Sequence, residues 1–289
     1  MRKSLRTGCA GVALLVGAVL LSGAARAQQE EVAPETESRR LLIYRYKIDP
    51  PQVGAFEEAM RGWVAAAEEG KLWEEWAWEV GQEDPFTYWI FSPLSDFRRL
   101  DPSSDFRKAL EENFLAKLAA ERVRALQAKG ELAILTGESW VVESVPELSY
   151  EPASEKEEAE TRYAHINVEQ VRFERVADYE EVVKRLLAML RRVEFPHRMN
   201  VYRSLTGPEN TYYVVFPARD RGELFEHYRW ADERLPAAVG EEAWAKWLAE
   251  WAACLRTFKH YDETARPDLS YRPSYAEASE GKPSPEEDE

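Results

Sequence analysis

The sequence predicts an α+β fold built from two tandem βαββαβ modules, and three observations predict it. Pro146-Glu147-Leu148-Ser149-Tyr150-Glu151-Pro152 returns as Pro267-Asp268-Leu269-Ser270-Tyr271-Arg272-Pro273, five of seven positions identical at an offset of 121 residues. Tyr88-Trp89-Ile90-Phe91 returns as Tyr213-Val214-Val215-Phe216 at an offset of 125. Between these marks, short aromatic and β-branched runs alternate with helical periodicity in the same order twice. A period this long marks a duplicated small domain, because solenoid repeats run about 20–50 residues.

Residues 1–27 stand outside the expected fold. Arg2, Lys3 and Arg6 precede an apolar run from Val12 to Leu21, and Ala25-Arg26-Ala27 follows as a cleavage site. That is the grammar of a secretory signal peptide, and the apolar run is shorter than the roughly 20 residues that span a bilayer. Export to a periplasm or to the outside is expected, with cleavage near Ala27 and no membrane span. Residues 28–40 read as a flexible leader.

Module one occupies residues 41–150. Leu41 to Ile48 is a strand, stopped by Asp49-Pro50-Pro51, and Val53, Phe56, Met60, Trp63 and Val64 recur at helical spacing up to Gly70. Leu72 to Gly81 reads as a second strand in which Trp76, Trp78 and Val80 alternate with Ala77 and Glu79. Gln82 to Pro85 reads as a turn and Phe86 to Phe91 as a third strand. A helical stretch from Phe97 to Lys129, broken near Pro102, leads to a fourth strand at Ser139 to Val145.

Residues 151–162 form an acidic linker with Pro152. Module two occupies residues 163–273. Tyr163 to Val171 is a strand, and Val176 to Val193 a helix with Tyr179, Val182, Val183, Leu186, Leu187 and Leu190 on one stripe. Met199 to Leu205 and Thr211 to Phe216 flank a turn, Glu223 to Arg234 and Glu241 to Leu255 form a broken helix, and Arg256 to Asp262 is the last strand. Residues 274–289 read as a disordered acidic tail.

A βαββαβ order with right-handed crossovers puts both helices on one face of a four-stranded sheet. The bare face must be covered. Two modules on one chain can cover each other, packed sheet to sheet as an intramolecular α+β barrel. The partner is then supplied in cis, so a monomer or a weak dimer through sheet edges is expected.

The residues resemble the dimeric α+β barrel superfamily in a fused form of tandem ferredoxin-like repeats. Tyr46-Lys47-Ile48-Asp49-Pro50 followed by Phe56 is similar to the start of NIPSNAP-like domains, where a Tyr-x-Ile-x-Pro-Gly strand end leads into a helix carrying Phe. Pro51 stands in place of that Gly. Tyr88 to Leu94 with Arg98 resembles the third strand and following helix of that family. The superfamily includes haem-degrading monooxygenases, chlorite dismutase-like haem enzymes and small isomerases. Its haem-degrading members carry an Asn on the first strand and a Trp followed by a His on the second helix. Here Asn167, His227 and Trp230 are present, but His227 precedes Trp230 and Gly240 stands where the His would fall. No haem or other cofactor is therefore expected.

Composition excludes other classes. The balance of 38 bases to 53 acids becomes 34 to 53 once residues 1–27 are removed, a net charge of −19. Such a surface repels phosphate backbones and anionic membranes, so no nucleic acid is expected as partner. Cys254 alone remains after cleavage, so no intramolecular disulfide forms and stability must come from packing. On a Trp-rich helix it reads as a small buried apolar residue.

Candidate site residues follow from strand alternation. Tyr163, His165, Asn167 and Glu169 share one face of their strand, and Ala164, Ile166, Val168 and Gln170 the other. The mostly apolar set suits the helices, which aims Tyr163, His165 and Asn167 at the lumen. The last strand lies beside this one in such a sheet, so His260 neighbours His165. His165, His260 and Asn167 are the candidate catalytic residues, as acid and base; two histidines fall short of a catalytic zinc set, so no metal is expected. Tyr44, Tyr46, Trp76, Trp78 and Tyr163 are the candidate lining for a small apolar or aromatic ligand, unless those rings fill the lumen themselves. His197, in a loop, reads as solvated. Two readings follow: an exported scaffold or binder of a small apolar ligand, or a cofactor-free enzyme, monooxygenase- or isomerase-like, using a lumenal His.

Overall fold

The computed structural model describes residues 39–72, 76–152 and 161–273. The expected signal peptide and tail, nearly all of the expected leader and most of the expected acidic linker lie outside the described residues.

The elements run β1 (Arg40–Ile48), α1 (Val53–Gly70), β2 (Glu79–Asp84), β3 (Thr87–Pro93), α2 (Asp105–Lys117), α3 (Ala120–Ala133) and β4 (Ile134–Ser144). They continue as β5 (Tyr163–Val171), α4 (Val176–Arg192), β6 (Asn200–Ser204), β7 (Thr211–Ala218), α5 (Arg221–Arg229), α6 (Leu235–Val239), α7 (Glu241–Cys254) and β8 (Leu255–Ala265). A π-helical turn at Trp230–Arg234 joins α5 to α6.

The eight strands close into one barrel in the order β1-β3-β2-β8-β5-β7-β6-β4. Two antiparallel seams complete it. β2 meets β8 at Gly81↔Ala265 and Gln82↔Thr264, and β4 meets β6 at Val142↔Ser204, Glu143↔Arg203 and Ser144↔Tyr202. The sheets are thus joined edge to edge rather than only face to face. Closure satisfies the edge N–H and C=O groups that would otherwise seek another chain, so those edges are not available to the expected weak dimer. No helix among the described residues is long and apolar enough to cross a membrane.

The recurring seven-residue segments are clasps on these seams. Each forms a short 3₁₀ turn, Pro146–Leu148 and Pro267–Leu269, with Leu148 and Leu269 fully buried. After the first, Tyr150 bridges Met199 just before β6; after the second, Tyr271 bridges Trp78 just before β2. The Ser149 hydroxyl accepts from Val201 N at 2.9 Å and the Ser270 hydroxyl from Val80 N at 2.9 Å. Tyr150 donates to Phe195 O and Tyr271 to Leu72 O. Each Pro-x-Leu-Ser-Tyr segment therefore fastens the end of one half to the second strand of the other. Ser270→Ala leaves a backbone donor unpaired and is expected to cost about 1–2 kcal/mol, read as a lower urea midpoint.

Two cores flank the barrel wall. Phe56, Met60 and Trp63 of α1 pack on Tyr46, Ile48, Tyr88 and Ile90, while Tyr179, Val183 and Leu187 of α4 pack on Val201, Tyr212 and Val214. A third cluster, Ile43, Trp89, Trp140, Val142, Ile166 and Tyr213, lies inside the barrel.

Several boundaries differ from the sequence reading. β2 begins at Glu79 rather than Leu72 and runs through Asp84, because its partners are β3 and β8 and not the tryptophans before it. β4 starts earlier, at Ile134, and β8 runs on to Ala265. Both extensions are held by long-range pairing with β1 and β5.

Candidate functional site

The barrel holds a cavity of about 350 Å³ at the end where β1 and β5 begin and β4 and β8 finish. Alternation along the strands supplies its wall: Leu41 and Ile43 from β1, Trp89 and Phe91 from β3, Ala164 and Ile166 from β5, Tyr213 and Val215 from β7, Tyr261 and Glu263 from β8. Tyr202 of β6 adds another ring. The floor is a ring stack. Trp89 lies parallel to Tyr261 at 5.0 Å and edge-on to Trp140 at 5.5 Å, and Trp140 stacks on Tyr213 at 6.2 Å. Beyond it, Arg45 pairs with Glu83, which also accepts from Trp89 Nε1 at 2.8 Å. The lumen is thus filled at one end and hollow at the other.

Glu263 is a buried carboxyl in the wall of the hollow, which Glu79, Arg162, Arg198 and Arg272 also line. Its side chain is buried and its Oε1 has no hydrogen-bond partner. Burial, with Glu79 and Glu83 adding to it, pushes its carboxyl up to about 8, so at neutral pH it is mainly a neutral acid. Glu79 is also raised by burial, which its ion pair with Arg272 opposes. Gly81 makes room for Glu263, because a Cβ there would lie 1.6 Å from Glu263 Oε1. Burial likewise raises the phenols of Tyr202, Tyr213 and Tyr261, which stay protonated.

The structure corrects the facing of the predicted site residues. On β5, Ala164, Ile166 and Val168 look into the lumen, while His165, Asn167 and Glu169 look toward the helices. The reason is hydrogen bonding. Glu169 Oε2 accepts from Tyr179 of α4 at 2.9 Å and from Trp251 of α7 at 2.8 Å, partners that exist only on the helix side. His165 Nδ1 lies 2.9 Å from both Asp262 Oδ1 and Tyr228 Oη of α5, and Tyr228 donates to Asp262 at 2.6 Å. His165 and His260 are neighbours, with ring centroids 5.5 Å apart, but on the outside of the barrel. Asn167 Oδ1 has no hydrogen-bond partner.

Tyr44, Tyr46, Trp76 and Trp78 also face the helix layer. Tyr46, Trp76 and Trp78 belong to the α1 core, Tyr44 packs against it, and Trp76 meets Phe114 at 4.6 Å. They neither line the lumen nor plug it. Of the expected lining, Tyr163 alone borders the cavity, with the Arg221 guanidinium 5.7 Å over its ring.

A second polar cluster sits on the helix side. His197, from the loop before β6, stands with Glu223 and His227 of α5, their ligand atoms within 4.8 Å of one another. His197 is half-buried rather than solvated, and its ring meets that of His227 edge-on at 4.0 Å. Burial, then the neighbouring His197, holds the His227 imidazole down to about 3. Burial lowers His197 as well, against the pull of Glu223. At Glu223 burial opposes ionisation, but hydrogen bonds from Arg219 keep its carboxyl below the usual range.

Solved structures share this barrel. A putative monooxygenase from Fusobacterium nucleatum subsp. nucleatum matches with a TM-score of 0.50 at 10% identity, covering 80% of this chain and 93% of its own. An anthrone oxidase-like protein matches at 0.48 and 14% identity, covering 79% and 91%. A chlorite dismutase from Candidatus Nitrospira defluvii matches at 0.46 and 12% identity, covering 81% and 93%. What is shared is the fold. It is the mixed α+β architecture around an eight-stranded barrel that the superfamily resemblance led us to expect. No protein-family model matches the chain, and no curated protein matches its sequence.

The superfamily that the sequence resembles includes haem proteins. The lumen here does not fit haem. Among the described residues no His, Cys or Met lines it, and burial keeps the phenols of Tyr202, Tyr213 and Tyr261 protonated, so these groups offer no axial ligand to an iron.

Proposed function

We propose that this protein binds a small, mainly apolar, ring-bearing molecule in the hollow end of its barrel, with neutral Glu263 hydrogen-bonding the molecule's polar group. The observation that carries this reading is a ring-walled cavity of about 350 Å³ containing a buried carboxyl oxygen without a partner. Ligand cavities run about 300–1,000 Å³, mostly apolar with a few placed polar groups. Parallel and edge-on rings favour a flat guest. The unpartnered oxygen costs about 1–3 kcal/mol as it stands, and a bound hydroxyl or amine would relieve that cost.

A second reading rests on the same carboxyl. A group titrating near pH 8 in a ring-walled pocket is suited to exchange a proton with its guest. The protein would then be a cofactor-free enzyme with Glu263, not a histidine, as its acid and base. His165, His260 and Asn167 would act in the lumen only by crossing the barrel wall, so we assign them no part in it.

2-Naphthol tests both readings. Titrated into the protein, it is expected to quench Trp fluorescence saturably at one molecule per chain. Ala164→Trp fills the hollow and should weaken that binding at least tenfold. Absence of saturation, or equal binding by Ala164→Trp, would overturn the proposal. Binding that persists while naphthol-like substrates stay unchanged through long incubation would exclude the enzyme reading alone.

We further propose that residues 41–150 and 163–273 are a fused duplication of a NIPSNAP-like ancestor, supported by the repeated element order and the paired clasps. The signal-like residues 1–27 support export to a periplasm or beyond. Cell fractionation would check this.

A further inference from the structure

The His197–Glu223–His227 cluster lies on the opposite side of the sheet from the lumen and plays no part in the reading above. Phe216 of β7 points to the helix side and meets the His227 ring at 6.3 Å. Phe195 packs edge-on against His197 at 5.3 Å and against Trp230 at 5.6 Å. Inside this aromatic surround, His227 is 6% exposed and neither of its ring nitrogens has a hydrogen-bond partner. A buried imidazole that makes no bond is expensive to keep, about 1–3 kcal/mol, and in most folds such a group is paired.

The neighbours of His227 supply what it lacks. Glu223 and His227 are four residues apart on α5, which sets both side chains on one face, the spacing that helical metal sites use for two ligands. The Asp220 carboxylate caps α5 by accepting from Glu223 N at 2.9 Å. Arg219 clamps the Glu223 carboxylate from outside, through its backbone N at 2.7 Å and its Nε at 3.0 Å, both to Oε2. The clamp leaves Oε1 turned toward His197 Nδ1 at 3.6 Å, with a long contact to Arg219 Nη2 at 3.3 Å. Two imidazoles and a fixed carboxylate oxygen thus converge.

We propose that His197, Glu223 and His227 form a binding site for a divalent first-row transition cation of the zinc type, with water completing its coordination. Two nitrogens and one carboxylate oxygen are a donor set for zinc or non-haem iron rather than for calcium or magnesium, which prefer all-oxygen shells. Zinc bonds of about 2.0–2.1 Å in a tetrahedron place ligand atoms about 3.4 Å apart. Donors already within 4.8 Å reach that spacing by side-chain adjustments of about an ångström. Arg219 outside the carboxylate acts as a positioning residue, holding one oxygen so that the other faces inward.

The test is a titration of zinc chloride into the untagged, chelator-stripped full chain, followed by calorimetry. One zinc per chain with micromolar or tighter affinity is expected. His227→Ala and His197→Ala should each weaken it at least tenfold, and His165→Ala should leave it unchanged. Because His227 is buried, circular dichroism checks that its variant folds, and the loop variant His197→Ala carries the test independently. Cobalt substitution gives a second readout: intense visible absorption from a low-coordinate nitrogen-ligated ion, lost in either variant. No binding at millimolar zinc, or affinity lost in His165→Ala but kept in His197→Ala, would overturn the site. Neither outcome touches the lumen, since 2-naphthol binding is measured with the metal stripped.

Discussion

Urea unfolding should show this protein more stable at pH 5 than at pH 8, by a margin of which Glu263→Gln removes the larger part and Glu169 keeps the rest. The sign follows from one raised carboxyl. Glu263 titrates at about 8 in the fold against 4.5 for an ordinary glutamate, chiefly through burial. Below pH 4.5 it is protonated folded and unfolded, and contributes nothing to the pH dependence. From there to pH 8 the unfolded chain releases the proton and the fold keeps it, so each pH unit lowers stability by about 1.4 kcal/mol. Above pH 8 both states are ionised and the loss stops growing. The full span is on the order of 5 kcal/mol. Glu169, raised to about 7 by burial against its hydrogen bonds to Trp251 and Tyr179, adds a smaller loss over pH 4.5 to 7. Opposed carboxylates limit the acid side. Glu57 and Asp268, both lowered by Arg266, hold stability that vanishes as pH falls below the ordinary carboxylate range. The optimum therefore sits near pH 5. Glu263→Gln keeps the shape and removes the charge, so it should gain stability at pH 8 and change little at pH 5. A variant whose slope matches the parent's would show that Glu263 is not the buried neutral acid described above, and would weaken the ligand reading with it.

Which parts of this molecule can be read from its residues depends on how far the deciding contacts reach. β5 is legible end to end because Tyr163 to Val171 alternates without interruption and is closed on both sides. The face it turns inward is not legible. Period two gives the alternation but not its sign, and both sets on β5 contain residues that could be buried. The sign is decided by Tyr179, Trp251 and Tyr228, donors brought in by α4, α7 and α5 from far along the chain. Glu263 escapes a sequence reading because the expected strand stops at Asp262; Glu263, Thr264 and Ala265 are strand through their pairing to Ala164, Tyr163 and Gly81. Trp76 and Trp78 read as strand for the opposite reason, being aromatic and alternating, yet they lie before β2 and bury into the α1 core. The pair Glu223 and His227 carries a visible i,i+4 signal. His197 does not, since a loop histidine gives no hint of the helix that will cover it.

Tyr179→Ala should be the most damaging single change on the helix side, at about 5 kcal/mol. Tyr179 is fully buried on α4, lies 4.6 Å from the Tyr212 ring and donates to Glu169. Removing a buried ring costs about 3–5 kcal/mol through lost burial and the cavity left behind. Removing the hydroxyl takes one of the two donors from a buried carboxylate, a further 1–3 kcal/mol. Tyr179→Phe isolates the second part, and its pH dependence separates it from packing. The Tyr179 hydrogen bond lowers the Glu169 carboxyl. Without it, that carboxyl rises further above its unfolded value, so the loss due to Glu169 extends to higher pH. Tyr179→Phe should thus cost more at pH 8 than at pH 5, where Glu169 is protonated in the fold and asks less of its donor. Glu169→Gln in the same chain should abolish that difference, making the double variant less destabilised at pH 8 than the sum of the two singles. Urea midpoints at the two pH values for the four proteins measure this directly. Equal cost of Tyr179→Phe at both would mean that Trp251 alone sustains the carboxylate and that the ring of Tyr179, not its hydroxyl, is what the fold requires.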